Sequence, residues 1–223
     1  MKNEVAICVV GDFRFLRRHF KNLFSELTEN GKYSGEVVIL TSKITPVLLI
    51  KGIRKNKKVI VIRQKKIRFS KSTKNSFLNL NTNGQPNRFK TKNFQWHKLH
   101  LFDEDMKRWK YIFYLDLNMH IHFDINQVLN LTPKNKLYAR ADGYPDYNNS
   151  LSSQFDSKMQ KHNELNNKYD LSIKNYFQTG VLYFDTDIIE KDTKQNLISL
   201  AEDYPISIKN EQGIMNLYFI FIK

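Results

Sequence analysis

The chain has 223 residues, of which 41% are hydrophobic and 13% aromatic, so it can form a sizeable core and is not a disordered chain. No run of about 18 apolar residues occurs, which excludes a transmembrane helix, and the start "MKNEVAICVV" lacks a small-residue cleavage site. We therefore expect no signal peptide and a cytoplasmic location. Cys8 is the single cysteine, which excludes an internal disulfide and fits a reducing compartment; we expect it to be a small core residue.

The formal net charge is +14, and residues 51–74 contain no acid. Such a basic segment indicates nucleic acid, an anionic membrane surface or a phosphorylated ligand as a partner. A compositional origin stays open, because Lys, Asn and Ile are abundant throughout, as in the product of an AT-rich genome. The sequence has no zinc-finger spacing, RNP-like aromatic motif or helix-turn-helix, so we do not expect nucleic acid to be the partner.

Apolar runs that alternate with helical spacings predict an α/β fold, a mostly parallel central sheet flanked by helices. The first helix is predicted from Phe15 to Leu27, where apolar residues recur every three or four positions. Six strands are predicted, at "EVAICVV", "EVVIL", 58–62, 111–117, 136–142 and 180–185. Further helices are predicted at 94–106 and 192–204 and within 210–221. We expect one domain over residues 1–223.

Two polar stretches interrupt this pattern. Residues 70–88 are rich in Asn and Ser and are predicted to be a loop. Residues 147–175 are poorly periodic and are predicted to be an excursion over one face of the domain, of the kind that is functional or mobile in compact proteins.

Asp116 and Asn118 lie where the apolar run "IFYLDLNMHIHF" ends. A carboxylate beside a buried strand needs a partner, which could be an arginine, backbone N–H groups or a metal ion. Residues two apart on an extended segment face the same side, and two oxygens there suit Mn²⁺ or Mg²⁺ that phosphate oxygens also hold. The alternative is an Asp that caps the next turn, with Asn118 in an Asx-turn.

Four segments in order resemble the glycogenin-like glycosyltransferases of family 8. The segment "FQWHKLHLFDEDMKRWKYIFYLDL" resembles the family's Lys-Leu-His helix followed by a strand that ends in Asp-x-Asp. "ARADGYPDY" (139–147), "FQTGVLYFD" (177–185) and "EQGIMNLYF" (211–219) are similar to three further family motifs. Together the ordered matches cover most of residues 5–219.

The resemblance implies a GT-A fold and the transfer of a hexose from a UDP-sugar, with Mn²⁺ or Mg²⁺ and retention of the anomeric configuration. It assigns the metal to Asp116 and Asn118 and catalysis or sugar contacts to Glu211, Gln212, Asp142 and Gln178. It assigns donor binding to Lys98 and Arg88 at the phosphates, to Asp116, and to Phe13 or Phe15 at the base. The acceptor, which could be a glycan, a protein or a small molecule, stays open, as does the oligomeric state.

The sequence departs from the family pattern in three places. Asn118 stands where relatives have a second acid, so we expect weaker metal binding. Glu211 is one methylene longer than the family acid, which moves the carboxylate by roughly 1.5 Å. The given sequence stops at Lys223, before the family's His-x-x-Gly-x-x-Lys-Pro-Trp segment; one hypothesis is that His120, at an alternate position to Asn118, supplies the missing imidazole. A degenerate domain that binds donor weakly is the second reading, and a basic nucleic-acid-binding protein the third.

Overall fold

The computed structural model describes residues 4–53, 56–82, 84–142 and 149–223. Six strands form one sheet in the order β3-β2-β1-β4-β6-β5. The strands are β1 (Val5–Val10), β2 (Glu36–Ser42), β3 (Val59–Gln64), β4 (Tyr111–Leu115), β5 (Leu137–Ala141) and β6 (Phe177–Asp185). The described helices are α1 (Phe13–Glu29), α2 (Lys71–Leu78), α3 (Arg88–Thr91), α4 (Asn126–Leu129), α5 (Gln160–Lys168), α6 (Thr193–Asp203) and α7 (Glu211–Leu217).

The sheet is mostly parallel, which confirms the predicted fold class. β1 pairs in parallel with β2 and with β4, and β2 pairs in parallel with β3. β4 pairs antiparallel with β6, with Phe113 opposite Tyr183. Central parallel strands are covered on both faces and therefore appear in the sequence as continuous apolar runs. β1 is such a run, and Cys8 within it is buried, which raises the pKa of its thiol.

The chain divides into two compact units, so the predicted single domain stays a prediction. Unit 1 consists of Met1–Lys66, His100–Tyr138 and Gly180–Lys191. In it, the apolar side of α1 presents Leu16, Phe20, Leu23 and Leu27 to the same core as Ile7 of β1 and Ile39 of β2. The helix begins at Phe13, two residues earlier than predicted, because the Asp12 side chain accepts a hydrogen bond from the Phe15 N–H at 2.8 Å and caps it.

Unit 2 consists of Ile67–Leu99, Ala139–Thr179 and Asp192–Lys223. The predicted loop over 70–88 is wrong for its first half, where α2 forms. Ser70 caps this helix by accepting from the Thr73 N–H at 3.1 Å, and Glu202 holds the Ser70 N–H at 2.7 Å. Phe77 packs against Trp96, with ring centroids 5.1 Å apart. Only Thr73 and Phe77 of α2 are buried, so its helical pattern was too sparse to detect.

The predicted helix over 94–106 is instead two 3₁₀-helices, Asn93–Phe102 and Glu104–Arg108. Trp96, Leu99 and Phe102 are buried and lie exactly three residues apart, a spacing that matches the three residues per turn of a 3₁₀-helix.

The described part of the polar excursion is structured, with a 3₁₀-helix at Leu151–Gln154 and helix α5. The rest of the predicted 139–147 motif, from residue 143, lies outside the described residues. The predicted helices near 192–204 and 210–221 are confirmed as α6 and α7, and a π-helix, Tyr218–Ile222, follows α7. Within the described ranges, every helix is too short or too polar to cross a bilayer.

Candidate functional site

Two neighbouring parallel strands of unit 1 end at the same edge of the sheet. Asp12 and Phe13 follow β1, and Asp116 follows β4. Ligands of open α/β sheets bind at the carboxyl ends of the strands, so this edge is the first candidate for a site.

A tight turn follows β4. The strand ends at Leu115, and the Met119 N–H donates to the Asp116 carbonyl at 3.0 Å, which closes a turn over residues 116–119. The expected extended segment through Leu117 is therefore wrong, and the alternation argument does not place Asp116 and Asn118 on one side. Asp116 is half-buried and Asn118 is exposed. The alternative prediction, in which a turn begins at Asp116, describes the backbone better than an extended strand does.

The Asp116 carboxylate is held from several directions. Its Oδ1 accepts from the Tyr114 hydroxyl at 2.5 Å, and its backbone N–H donates to the Gly180 carbonyl at 2.8 Å. A Cβ at position 180 would lie 3.4 Å from Asp116 Oδ2 and 3.2 Å from the Met119 methyl. Because residue 180 is a glycine, no side chain from this position contacts Oδ2.

This donor set fits one class of metal site. Mg²⁺ and Mn²⁺ are commonly bound by one or two protein oxygens together with the phosphates of a substrate, whereas a dedicated protein cage needs more ligands. The Asp116 carboxylate is an oxygen ligand of the kind that such a site uses, and Asn118, two residues later in the exposed part of the turn, carries a second one. Among the described residues, no group of three His, Cys, Asp or Glu side chains could hold an ion without a substrate.

His120 does not extend this set. Its Nδ1 lies 3.0 Å from Glu26 Oε1, and the other Glu26 oxygen accepts from the Ile121 N–H at 2.8 Å. These two bonds hold the pKa of Glu26 below its ordinary value, the bond from His120 being the larger cause. The hypothesis of His120 as a metal ligand depended on a continued extended strand, and the turn removes that basis.

Phe13 and Phe15 both lie in the first turn of α1. Phe13 packs against the unit 1 core, whereas the Phe15 side chain is exposed, with its ring 4.6 Å from that of His19. Of the two predicted base-stacking residues, Phe15 is the one with an accessible ring face.

Unit 2 contains a buried ion pair between two predicted site residues. Lys98 Nζ lies 3.0 Å from Glu211 Oε1, and their side chains are 4% and 1% exposed. Thr179 bridges the pair, because its carbonyl accepts from Lys98 at 3.1 Å and its hydroxyl donates to Glu211 Oε1 at 3.1 Å. Glu211 Oε2 is buried and has no hydrogen-bond partner within the described ranges. Burying this acid is tolerable only because Lys98 neutralises it.

A second polar cluster of unit 2 joins Asp142 and Gln212 to a residue that the sequence did not single out. Gln212 Nε2 donates to Asp142 Oδ2 at 3.0 Å and to Gln154 Oε1 at 2.9 Å. Gln154 Nε2 in turn donates to Asp142 Oδ2 at 3.2 Å, so the three side chains form a closed triangle. Gln154 is 2% exposed, at the end of a 3₁₀-helix in the predicted excursion. Leu151 and Phe155, which flank Gln154 in sequence, are also buried. This apolar pair is the one sequence signal that could have indicated a buried segment here.

Two cations accompany this cluster. Burial and the nearby Arg88 guanidinium lower the pKa of Lys209, and the Asp142 carboxylate opposes that effect. Lys209 Nζ also donates to Gln85 Oε1 at 3.1 Å. Arg88 is a predicted phosphate ligand. Lys209 was not predicted as a site residue, although its position two residues before Glu211 could have suggested it. Gln178, predicted to bind sugar or acceptor, is half-buried in β6.

Asn210 carries backbone strain directly before Glu211. It has φ +53° and ψ −126°, a conformation that favours glycine, and it is buried. Its side-chain amide donates to the Lys92 carbonyl at 3.2 Å and to Gln95 Oε1 at 2.9 Å. These bonds hold the unusual backbone and fix the start of α7, where Glu211 and Gln212 lie.

Comparisons with known proteins identify the fold. No protein-family model matches the chain, and no curated protein matches it in sequence. Solved structures do match. The galactosyltransferase LgtC in complex with donor and acceptor sugar analogs has a TM-score of 0.60 and 14% identity over 96% of this chain and 70% of that chain. The mannosyltransferase Ktr4p from S. cerevisiae in complex with GDP has a TM-score of 0.60 and 14% identity over 98% of this chain and 66% of that chain.

The bifunctional glycosyltransferase WbbM has a TM-score of 0.60 at 16% identity, and the match covers 98% of this chain but 38% of WbbM. The chain thus spans between about two fifths and seven tenths of the length of these proteins. The architecture is that of GT-A glycosyltransferases.

Proposed function

We propose that the chain is a glycosyltransferase of the glycogenin-like family 8 type, which transfers a hexose from a UDP-sugar to an acceptor, with Mn²⁺ or Mg²⁺ and with retention. The observation that carries the proposal is Asp116, which directly follows β4 at the carboxyl edge of a GT-A sheet and whose Oδ1 is fixed by the Tyr114 hydroxyl. The ordered sequence motifs support the UDP donor and the retaining outcome.

Asp116 and Asn118 would hold the cation. A bound divalent ion would offset the negative charge that the departing diphosphate gains. The chain's own contribution is orientation, because the Tyr114 hydroxyl fixes Oδ1 and Oδ2 then lies on the side of Gly180. Phe15 offers the exposed ring for the nucleotide base. Lys98 and Arg88 are assigned to the donor phosphates, and Lys98 is also the counter-ion of Glu211.

Under this proposal the hydrogen-bonded triangle of Asp142, Gln154 and Gln212 in unit 2 orients the Gln212 side chain for the reaction. Both hydrogens of Gln212 Nε2 are used, toward Asp142 and Gln154, so the amide cannot rotate without losing two bonds. Gln212 Oε1 accepts one long bond, from the Thr179 N–H at 3.4 Å. Oε1 is then the atom with capacity to face a sugar carbon or hydroxyl. Asp142, Gln178 and Glu211 are assigned to sugar or acceptor hydroxyls.

Donor turnover tests the proposal without knowledge of the acceptor. The protein is incubated with Mn²⁺ and, separately, with UDP-glucose, UDP-galactose and GDP-mannose, and release of the nucleoside diphosphate is measured. We expect release from a UDP-hexose, a free sugar that first appears in the donor's anomeric configuration by proton NMR, and loss of turnover in Asp116→Asn. Release from GDP-mannose alone would overturn the UDP assignment, and an inverted product would overturn retention.

A degenerate glycosyltransferase-like binding module is the second candidate. Burial of the Lys98–Glu211 pair and the neutral Asn118 favour it, because they leave fewer charged groups for donor and metal. It predicts no turnover of any donor and UDP binding that Mn²⁺ does not change.

A nucleic-acid-binding protein is the third candidate, and its motivation is the basic segment over 51–74. It predicts polynucleotide retention that weakens steeply with salt. We expect no retention at about 0.1 M salt.

A further inference from the structure

Three aliphatic side chains of unit 1 point into solvent after strand β2. Ile44, Leu48 and Leu49 are 91%, 66% and 71% exposed. Soluble proteins often expose single aliphatic residues, but three within six positions on one short segment form a contiguous stretch that calls for a partner. We call these three residues the aliphatic patch.

The local fold keeps the patch exposed. Thr45, Val47 and Ile50 alternate with the patch residues and are at most 5% exposed, so they anchor the segment. The Thr41 hydroxyl donates to Thr45 Oγ1 at 2.8 Å, and the Ile50 N–H donates to the Val47 carbonyl at 3.0 Å. With one set of side chains fixed in the core, the other set is held outward and cannot fold back.

Exposed lysines flank the patch in sequence. Lys43 directly precedes Ile44, Lys51 lies two residues after Leu49, and both are exposed. Residues 37–66 contain nine Lys and Arg and no Asp or Glu. The patch is thus an apolar segment with a cationic residue at each end.

We propose that the aliphatic patch docks the protein on an anionic lipid surface. Ile44, Leu48 and Leu49 enter the boundary of headgroups and acyl chains, and the lysines pair with lipid phosphates. Stable attachment to a membrane surface requires two such signals together, and both are present. This inference is independent of the proposed catalytic activity.

The chemistry of the patch favours lipid over two other partners. Nucleic-acid surfaces that bind bases use aromatic side chains for stacking, and the patch has only aliphatic ones. Protein interfaces are depleted in lysine relative to the rest of the protein surface, whereas lysines flank this patch on both sides. Aliphatic side chains flanked by lysines match the acyl region and the phosphate layer of a bilayer.

Vesicle co-sedimentation tests the proposal. The full chain is mixed with phosphatidylcholine vesicles that contain either no phosphatidylserine or about 30% of it. The variants are the triple change Ile44→Ser, Leu48→Ser and Leu49→Ser, and the double change Lys43→Gln and Lys51→Gln. Matched controls in the same unit are Leu131→Ser, at a leucine that is 60% exposed, and Lys134→Gln with Lys136→Gln, at two exposed lysines.

We expect binding to the anionic vesicles only. The triple serine variant should bind at least about 100-fold more weakly, and the double glutamine variant about tenfold more weakly. Both controls should bind like the wild type. Equal losses in the controls, or full binding by the triple serine variant, would overturn the proposal. Retention of a polyuridine probe at about 0.15 M salt without vesicle binding would assign the surface to nucleic acid instead.

Insertion can also be observed directly, without a loss-of-binding variant. Trp96 and Trp109 are buried, so their emission should change little on docking. In Leu48→Trp, anionic vesicles with brominated acyl chains should quench the new emission, whereas the control Leu131→Trp should not be quenched. Quenching in neither variant, or in both equally, would contradict insertion of this patch.

Discussion

Lys98 Nζ lies 3.0 Å from Glu211 Oε1, and both side chains are buried in unit 2. The sequence motifs assigned these residues to separate tasks, phosphate binding and catalysis. Each is the counter-ion of the other, so a substitution of either one changes stability as well as any activity. A variant with low activity is informative only when its stability is measured beside it.

The Lys98→Met variant should lose about 3–5 kcal/mol of unfolding free energy, because it removes the counter-ion of the buried Glu211 carboxylate. The double variant Lys98→Met with Glu211→Met should regain most of that loss, since it removes both charges. Urea denaturation measures both, with Lys90→Met at an exposed lysine as the control. A single variant as stable as Lys90→Met would contradict the structural role of the pair.

Gln154 should act as a positioning residue for Gln212. Because Gln154 accepts from Gln212 and donates to Asp142, Gln154→Ala removes one of the two bonds that orient the Gln212 amide. We expect kcat for donor turnover to fall about tenfold while KM for the donor changes by less than about twofold. Gln160→Ala, at an exposed glutamine nearby, should leave both unchanged. A rise in KM with an unchanged kcat would show that Gln154 serves binding instead.

The strain at Asn210 can be measured by comparing two variants that both lack its amide. Asn210→Ala retains a Cβ at φ +53°, whereas Asn210→Gly removes it. We expect the glycine variant to be more stable than the alanine variant by about 1 kcal/mol, and both to be less stable than the wild type, because the bonds to Lys92 and Gln95 are lost. Thermal unfolding of the three proteins gives the order. An alanine variant at least as stable as the glycine variant would rule out strain at this position.

The Glu26–His120 pair predicts a pH dependence. The pKa of Glu26 lies below its ordinary value of 4.5, so its stabilising contribution is complete above pH 4.5 and is lost as the pH falls through the lowered pKa. His120→Ala should raise that pKa toward 4.5 in a carboxyl NMR titration. The same variant should bind Mn²⁺ like the wild type. Weaker Mn²⁺ binding would restore His120 as a metal ligand.

The fold was predictable because its central strands carry a strong local signal. Residues Ala6–Val10 and Val37–Leu40 are buried on both faces of a parallel sheet, and such strands need continuous apolar runs. Helix α1 was equally clear from its apolar stripe. The 3₁₀ geometry around Trp96 was missed because apolar spacing of three is also compatible with an α-helix.

The site was less predictable, because its geometry depends on contacts between distant residues. Asp116 and Gln212 were located by motif, but the turn at 116–119 was hidden by the alternating pattern of "LNMHIH", which also suits a strand. Gln154 meets Asp142 and Gln212, which are 12 and 58 residues away, and a lone glutamine in a Ser-rich stretch carries no local signal for that. Lys98 and Glu211 were predicted separately, as a phosphate ligand and a catalytic residue, and their pairing across more than a hundred residues has no sequence signature.

Calorimetric titration of UDP in the presence of Mn²⁺ or EDTA tests the central role of Asp116 most directly. We expect the wild type to bind UDP at least about tenfold more tightly with Mn²⁺, Asp116→Asn to lose that gain, and Asn118→Ala, which removes no charge, to lose less of it. UDP affinity that is the same with Mn²⁺ and with EDTA, and unchanged in Asp116→Asn, would contradict the account.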